Sequence, residues 1–155
     1  MTVDLKPGDH APDFDMPGDA GAVSIAALKG KIVVLYFYPK DDTPGCTTEA
    51  QGFTAAAADL AAAGAVVVGV SKDTVAKHGK FRAKYALTPL LGSDADGDVV
   101  ERYGAWVEKS LYGRQYMGIE RCTFLIDAGG IVRRVWRKVK VKGHVAEVLD
   151  AARAL

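Results

Sequence analysis

The sequence predicts an α/β domain whose mixed sheet is flanked by helices. Three observations carry that expectation: two apolar runs of strand length, a helix-forming stretch between them, and a glycine-turned pair of β-branched runs towards the C-terminus. The first run, Lys31-Ile-Val-Val-Leu-Tyr-Phe-Tyr38, is bounded by Gly30 and Pro39 and predicts a central strand buried on both faces. Residues 47–63 are rich in Ala, carry Phe53 and Leu60 and end at Gly64, the pattern of a helix and its stop. Ala65-Val-Val-Val-Gly-Val70 predicts a second buried strand, and 74–85 a helix that Asp73 or Thr74 can cap. Strand, helix, strand in this order implies a parallel pair with a right-handed crossover. Leu90-Leu91 predicts another short strand, 98–103 a short helix and 121–127 a strand, which Ala128-Gly-Gly130 turns into a hairpin partner over 131–138. Residues 145–155 close the chain as an amphipathic helix, and 104–118, with Trp106, Tyr112, Tyr116 and Met117, reads as an aromatic loop.

With 155 residues and no repeat, low-complexity tract or linker, residues 1–155 are expected to form one domain. Lys plus Arg total 20 against 19 Asp plus Glu, a net charge of +1 that selects neither nucleic acid nor an anionic membrane. The N-terminal ten residues lack the apolar core of a secretory signal, and no stretch approaches the roughly 18 apolar residues that span a bilayer. The expectation is a soluble, cytoplasmic protein. Two cysteines, Cys46 and Cys122, are too few for a disulfide framework.

If Thr43 is the N-cap of the helix after the first strand, Pro44 falls at the first helical position and Cys46 in the first turn. Unpaired N–H groups and aligned peptide dipoles there favour thiolate over thiol, so Cys46 reads as a nucleophile. The alternative is a small packed cysteine, the common fate of a free thiol. Against it, the polar loop of Lys, Asp, Asp, Thr and Pro before Cys46 offers little to pack against.

The residues Pro39-x-x-x-Thr43-x-x-Cys46, directly after a buried Phe-Tyr strand, resemble the peroxidatic signature of peroxiredoxins. The fuller string Tyr38-Pro-Lys-Asp-Asp-Thr-Pro-Gly-Cys-Thr-Thr-Glu49 resembles the PrxQ, or bacterioferritin comigratory protein, branch of the AhpC/TSA family. Pro7-Gly-Asp-x-Ala-Pro-Asp-Phe14, Gly69-Val-Ser71 and Tyr116-Met-Gly-Ile-Glu-Arg-Cys-Thr-Phe-Leu-Ile-Asp127 extend the similarity along nearly the whole chain. The resemblance implies a thioredoxin-like fold and the reduction of hydroperoxides without a cofactor. It further implies Cys46 as peroxidatic thiolate, Thr43 bonding the peroxide through its hydroxyl, Pro39 shielding the pocket, Arg121 reaching the sulfur and Glu49 orienting Arg121.

Ionisation alone would not suffice. A cysteine of pKa about 8.5 is about 3% thiolate at pH 7, so full ionisation raises the reactive fraction at most about thirty-fold, while nucleophilicity falls with pKa. The larger share must come from groups placed where charge develops as the O–O bond breaks: Arg121, the Thr43 hydroxyl and the first-turn N–H groups. Arginine suits this because it stays cationic and offers fixed donors.

Oxidation leaves a sulfenic acid that a second thiol must condense with. Many PrxQ-like proteins carry that thiol five residues on, where this chain has Gln51, and others carry it in the next helix, which here has no cysteine. If Arg121 points at the site, alternation sends Cys122 to the opposite face, where a packed core cysteine is expected. This predicts a one-cysteine mechanism with thioredoxin, glutaredoxin or glutathione as external reductant, in a monomer or weak homodimer; an intersubunit disulfide is the alternative.

Other features point elsewhere only at first sight. Asp94-Ala-Asp-Gly-Asp98 lacks the spacing of a calcium loop, having Gly97 too early and Ala105 where a Glu should be. The stripe Arg133, Arg134, Arg137, Lys138, Lys140 and Lys142 alternates with Val135, Val139 and Val141, as in a strand with one solvated face. His10, His78 and His144 are scattered, with no metal-ligand spacing, and the glycines form no phosphate-binding loop. A thioredoxin-type exchanger would need a second Cys where Glu49 stands, and a cysteine hydrolase a paired His. A non-catalytic redox sensor or holdase using Cys46 remains the competing reading.

Overall fold

The computed structural model describes residues 4–155; the first three residues of the N-terminal segment lie outside it. In chain order, β1 (Asp15–Met16) and β2 (Val23–Ser24) form a small antiparallel hairpin that the sequence pattern did not announce. The apolar run after Gly30 becomes β3 (Ile32–Phe37), followed by α1 (Pro44–Ala55), α2 (Ala57–Ala62) and β4 (Ala65–Ser71). Next come α3 (Val75–Tyr85), β5 (Leu90–Ser93) and α4 (Val99–Arg102). The chain ends with β6 (Trp106–Leu111), β7 (Arg114–Ile119), β8 (Cys122–Ile126), β9 (Val132–Trp136) and α5 (His144–Arg153).

Five strands make the central sheet in the order β5-β4-β3-β8-β9. β3, β4 and β5 run parallel, whereas β8 pairs antiparallel with β3 and β9 antiparallel with β8, so the sheet is mixed as expected. Alternation along β3 divides the core. Val33, Leu35 and Phe37 pack on one face with the β1–β2 hairpin, α4 and Cys122. Val34, Tyr36 and Tyr38 pack on the other with Ala50 and Phe53 of α1, Leu60 of α2, Phe81 of α3 and Val148 of α5. Both faces are apolar because both are covered, which is why β3 reads as an unbroken hydrophobic run.

Three expectations need correction. The helical stretch expected over 47–63 begins at Pro44, as the Thr43 N-cap reading requires, but it is not one helix: it is broken at Ala56 (φ −91°, ψ 5°), where propensity alone gives no warning in an alanine-rich stretch. The aromatic loop 104–118 is the hairpin β6–β7, whose turn residues Tyr112 (φ 51°) and Gly113 (φ 78°) both take left-handed backbone. Asn-Gly is the usual signal for such a turn, and Tyr-Gly hides it. The basic stripe is a strand only as far as Trp136; Val139 lies beyond it and donates its N–H to the Arg121 carbonyl at 2.9 Å. The acidic turn Asp94–Asp98 is a helix start, in which the Asp94 carboxylate accepts the N–H groups of Val99 and Val100 at 3.2 and 2.9 Å.

Candidate active site

The site forms where β3 delivers the chain to α1. Thr43 (φ −96°, ψ 156°) takes the N-cap position with Pro44 following, as the sequence predicts, yet its side chain does not cap the helix. Its hydroxyl turns back and donates to the Lys40 carbonyl at 2.8 Å. The first-turn N–H groups of Gly45 and Cys46 have no carbonyl within the helix to bond, so they are free to face an incoming oxygen.

Cys46 is 1% exposed, and the expectation that it has little to pack against is wrong: it sits among Tyr36, Tyr38, Ala50 and Phe53. Burial here does not mean a hydrocarbon jacket. Arg121, from the residue immediately before β8, places Nη2 3.3 Å from Cys46 Sγ and donates through Nη1 to Glu49 Oε1 at 2.7 Å. Glu49 stands three residues after Cys46, nearly one helical turn along, so both side chains lie on one helix face. Gly45 is part of the same construction, because a Cβ there would come within 3.1 Å of Arg121 Nη2. Pro39 lies exposed at the start of the loop.

Charges reinforce the contact. Burial works against the Arg121 cation, but the Glu49 carboxylate and the Cys46 sulfur outweigh it and raise its pKa above the ordinary value. Burial pushes the Glu49 carboxyl up to about 7 against the pull of Arg121, and its Oε2 has no partner among the described residues. Lys109 of β6 approaches the same group: burial first, and then the Arg121 charge, lower its pKa, while Cys46 pulls the other way. Sequence reasoning missed Lys109, because its segment read as a loop.

Cys122 is fully buried on the opposite face of the sheet, in the cluster that contains Phe37 and Phe124, and burial pushes its thiol up to about 12. Both cysteines are free. A concavity of about 600 Å³, lined by His10, Asp13, Leu28, Lys31 and Ile126 among others, opens at the amino-terminal end of β3, the end away from Cys46. No helix among the described residues is long and apolar enough to cross a membrane.

A helix-start cysteine contacted by an arginine guanidinium, on a mixed sheet with three parallel strands, fits a thiol-dependent oxidoreductase. Residues 7–135 match the AhpC/TSA family. A bcp relative from Coxiella burnetii is 53% identical over 148 residues, covering 95% of this chain and 98% of that one. Peroxiredoxin Bcp of Bacillus subtilis is 50% identical over 151 residues, 97% of this chain and 95% of its own. Among solved structures, the Xanthomonas campestris bacterioferritin comigratory protein superposes with a TM-score of 0.88 at 41% identity, over 99% of this chain and 98% of that one. The chain belongs to the AhpC/TSA family and is similar throughout to its PrxQ/Bcp branch, with the thioredoxin-like fold of those neighbours. It is accordingly a peroxidase of the peroxiredoxin class.

Proposed function

We propose that the chain reduces hydrogen peroxide and organic hydroperoxides by a one-cysteine cycle centred on Cys46. The observation that carries this reading is the 3.3 Å contact between the Arg121 guanidinium and Cys46 Sγ at the start of α1. The X. campestris relative is described by its alkyl peroxide reduction activity, which supports organic hydroperoxides as substrates.

In the first step an electron pair on the Cys46 thiolate attacks one peroxide oxygen. The S–O bond forms, the O–O bond breaks, and the departing alkoxide takes a proton to leave as alcohol or water. Charge moves from sulfur to the departing oxygen, so donors fixed around that path stabilise the transition state more than the ground state. Arg121 and the N–H groups of Gly45 and Cys46 supply those donors, Glu49 holds Arg121 in register, and Thr43 meets the peroxide with its oxygen, its proton being engaged by Lys40. Pro39, exposed at the start of the loop, is assigned the role of limiting water access to Cys46.

In the second step the sulfenic acid on Cys46 condenses with an external thiol, giving a mixed disulfide and water; a second thiol then releases the thiolate as the external disulfide forms. Gln51 stands five residues after Cys46, α3 carries no cysteine, and Cys122 faces the other side of the sheet, which together support an external reductant such as thioredoxin, glutaredoxin or glutathione. Because Cys46 is 1% exposed, the first turn of α1 must open before that thiol can reach it. Two free thiols fit a reducing compartment such as the cytoplasm, and the cycle needs no more than a monomer or a weak homodimer.

Steady-state consumption of hydrogen peroxide or an alkyl hydroperoxide with dithiothreitol tests the reading. Wild-type protein should turn over many times and Cys46→Ser not at all. Stoichiometric oxidation without turnover would favour a redox sensor or holdase instead.

A further inference from the structure

Beneath the loop that joins β3 to α1 lies a polar cluster for which the sulfur chemistry has no use: Tyr38, Asp41, Ser71, Asp73, His78 and Ser93, none more than 9% exposed. His78, in the first half of α3, has Nδ1 2.6 Å from Asp41 Oδ2 and Nε2 3.0 Å from the Gly92 carbonyl oxygen. Both partners are acceptors. A neutral imidazole carries a single N–H, so only the doubly protonated ring satisfies both contacts. The Tyr38 hydroxyl donates to the other Asp41 oxygen at 2.6 Å, so the carboxylate is held at both ends.

The same loop carries a second restraint. The peptide joining Lys40 to Asp41 donates its N–H to Asp73 Oδ2 at 2.8 Å and accepts the Thr43 hydroxyl on its carbonyl at 2.8 Å. Asp73 Oδ2 also takes the Ser71 hydroxyl at 2.7 Å. Between this peptide and Thr43 the chain passes through Asp42 at φ 60°, a left-handed conformation uncommon for non-glycine residues and most accessible to Asn and Asp. The Asp42 carboxylate is tied in turn to Lys84 Nζ and Tyr85 Oη at 2.8 and 2.6 Å. The orientation of one peptide therefore decides where the Thr43 proton points, and so which face of its oxygen is left for a ligand.

We propose that His78 is a positioning residue of the peroxidatic site: as a buried imidazolium paired with Asp41, it locks the 40–43 loop so that the Lys40–Asp41 peptide takes the Thr43 proton and leaves that oxygen as acceptor for the peroxide. The inference rests on the assignment of Cys46 and Thr43 made above. The groups facing the ring are Tyr38 and Asp41 from β3 and its loop, Asp73 from the turn before α3, and Asp19, itself paired with Arg82, from the β1–β2 hairpin. Lys40, Lys77, Lys80 and Lys84 line the cleft beside them. Burial opposes the charge on the ring, but the hydrogen bond and charge of Asp41, with Gly92 and Asp73, outweigh it and hold the ring above its ordinary 6.5. The lock is complete below 6.5 and weakens as pH rises through the raised value, when one of the two acceptors loses its donor.

The test is the single-turnover rate of Cys46 oxidation by hydrogen peroxide, followed by quench and mass spectrometry from acid to alkaline pH. His78→Gln should lower the rate by about ten- to hundred-fold and flatten the alkaline decline of the wild type. In a Thr43→Val background, where no hydroxyl remains to be positioned, the same substitution should cost nothing further. Alkylation of Cys46 by iodoacetamide, which needs no peroxide geometry, should not be slowed. Tyr38→Phe removes one donor to Asp41 and should act in the same direction more weakly, which keeps the test open should His78→Gln fail to fold. An unchanged rate and pH profile, a full additional loss in the Thr43→Val background, or alkylation slowed in step would overturn the inference while leaving peroxide reduction intact. A wild-type protein that does not react with peroxide removes both.

Discussion

Cys46 and Cys122 are the same residue type, both free, both essentially sealed from solvent, and both neighbours of the strand β3. They differ in what surrounds the sulfur. Cys122 packs among Phe37, Phe124 and Val70 on one face of the sheet, where burial pushes its thiol up to about 12. Cys46, on the other face, has lost as much water but gained the Arg121 guanidinium at 3.3 Å and the opening turn of a helix. On the assignment proposed above, burial alone does not decide whether a cysteine reacts. A thiolate out of water survives only where a cation and oriented N–H groups replace the water it has lost.

The widest contrast follows from removing each sulfur. Cys46→Ser should reduce peroxidase activity to the uncatalysed background, while Cys122→Ala should leave kcat/KM unchanged and lower the urea midpoint by an amount worth about 1 kcal/mol, since a packed sulfur is replaced by a smaller group. Retained activity in Cys46→Ser, or lost activity in folded Cys122→Ala, would break the comparison. Removing the cation comes next. Arg121→Gln should cost about 10²- to 10³-fold in kcat/KM, roughly 2.7–4 kcal/mol, as for loss of a preorganised donor to developing charge.

Glu49→Gln should cost less, about ten-fold, because Arg121 remains but loses its anchor. It should also change the pH dependence. In the native state the Glu49 carboxyl ionises near 7, so the charge that holds Arg121 is gained as pH rises through that value, and the acid-side loss of wild-type activity should flatten in the variant. Stability carries the opposite sign. The unfolded carboxyl ionises near 4.5 and the native one near 7, so the native state binds more protons between them and this residue's contribution to stability declines as pH rises across that window. Denaturant titrations of wild type and Glu49→Gln at several pH values check it. Gly45→Ala is the mildest change: its Cβ would sit 3.1 Å from Arg121 Nη2, and a guanidinium displaced by a few tenths of an ångström should lower kcat/KM by several-fold with little effect on the thermal midpoint.

Much of this was legible in the residues. The unbroken run 31–38 announced a strand covered on both faces, and Thr43-Pro44 announced the helix start that sets Cys46 in the first turn. Alternation on one strand was enough to send Arg121 and Cys122 to opposite sides, and Thr74 caps α3 as expected, its side chain accepting the Lys77 N–H. What stayed hidden depends on distant contacts. The β6–β7 hairpin turns at Tyr112-Gly113 instead of the usual Asn-Gly, and Lys109 comes under the Arg121 charge only once that hairpin is folded. Sequence separation concealed His78 most completely, since its partner Asp41 is 37 residues away and a lone histidine among lysines carries no pattern of its own.

Oxidation resolved by site offers the most direct test. Protein treated with one equivalent of hydrogen peroxide and then glutathione, digested and analysed by mass spectrometry, should carry the glutathione adduct on Cys46 with Cys122 still a free thiol. A disulfide linking Cys46 to Cys122 within the chain, or an adduct on Cys122 while Cys46 stays reduced, would contradict the division of labour between the two faces of the sheet.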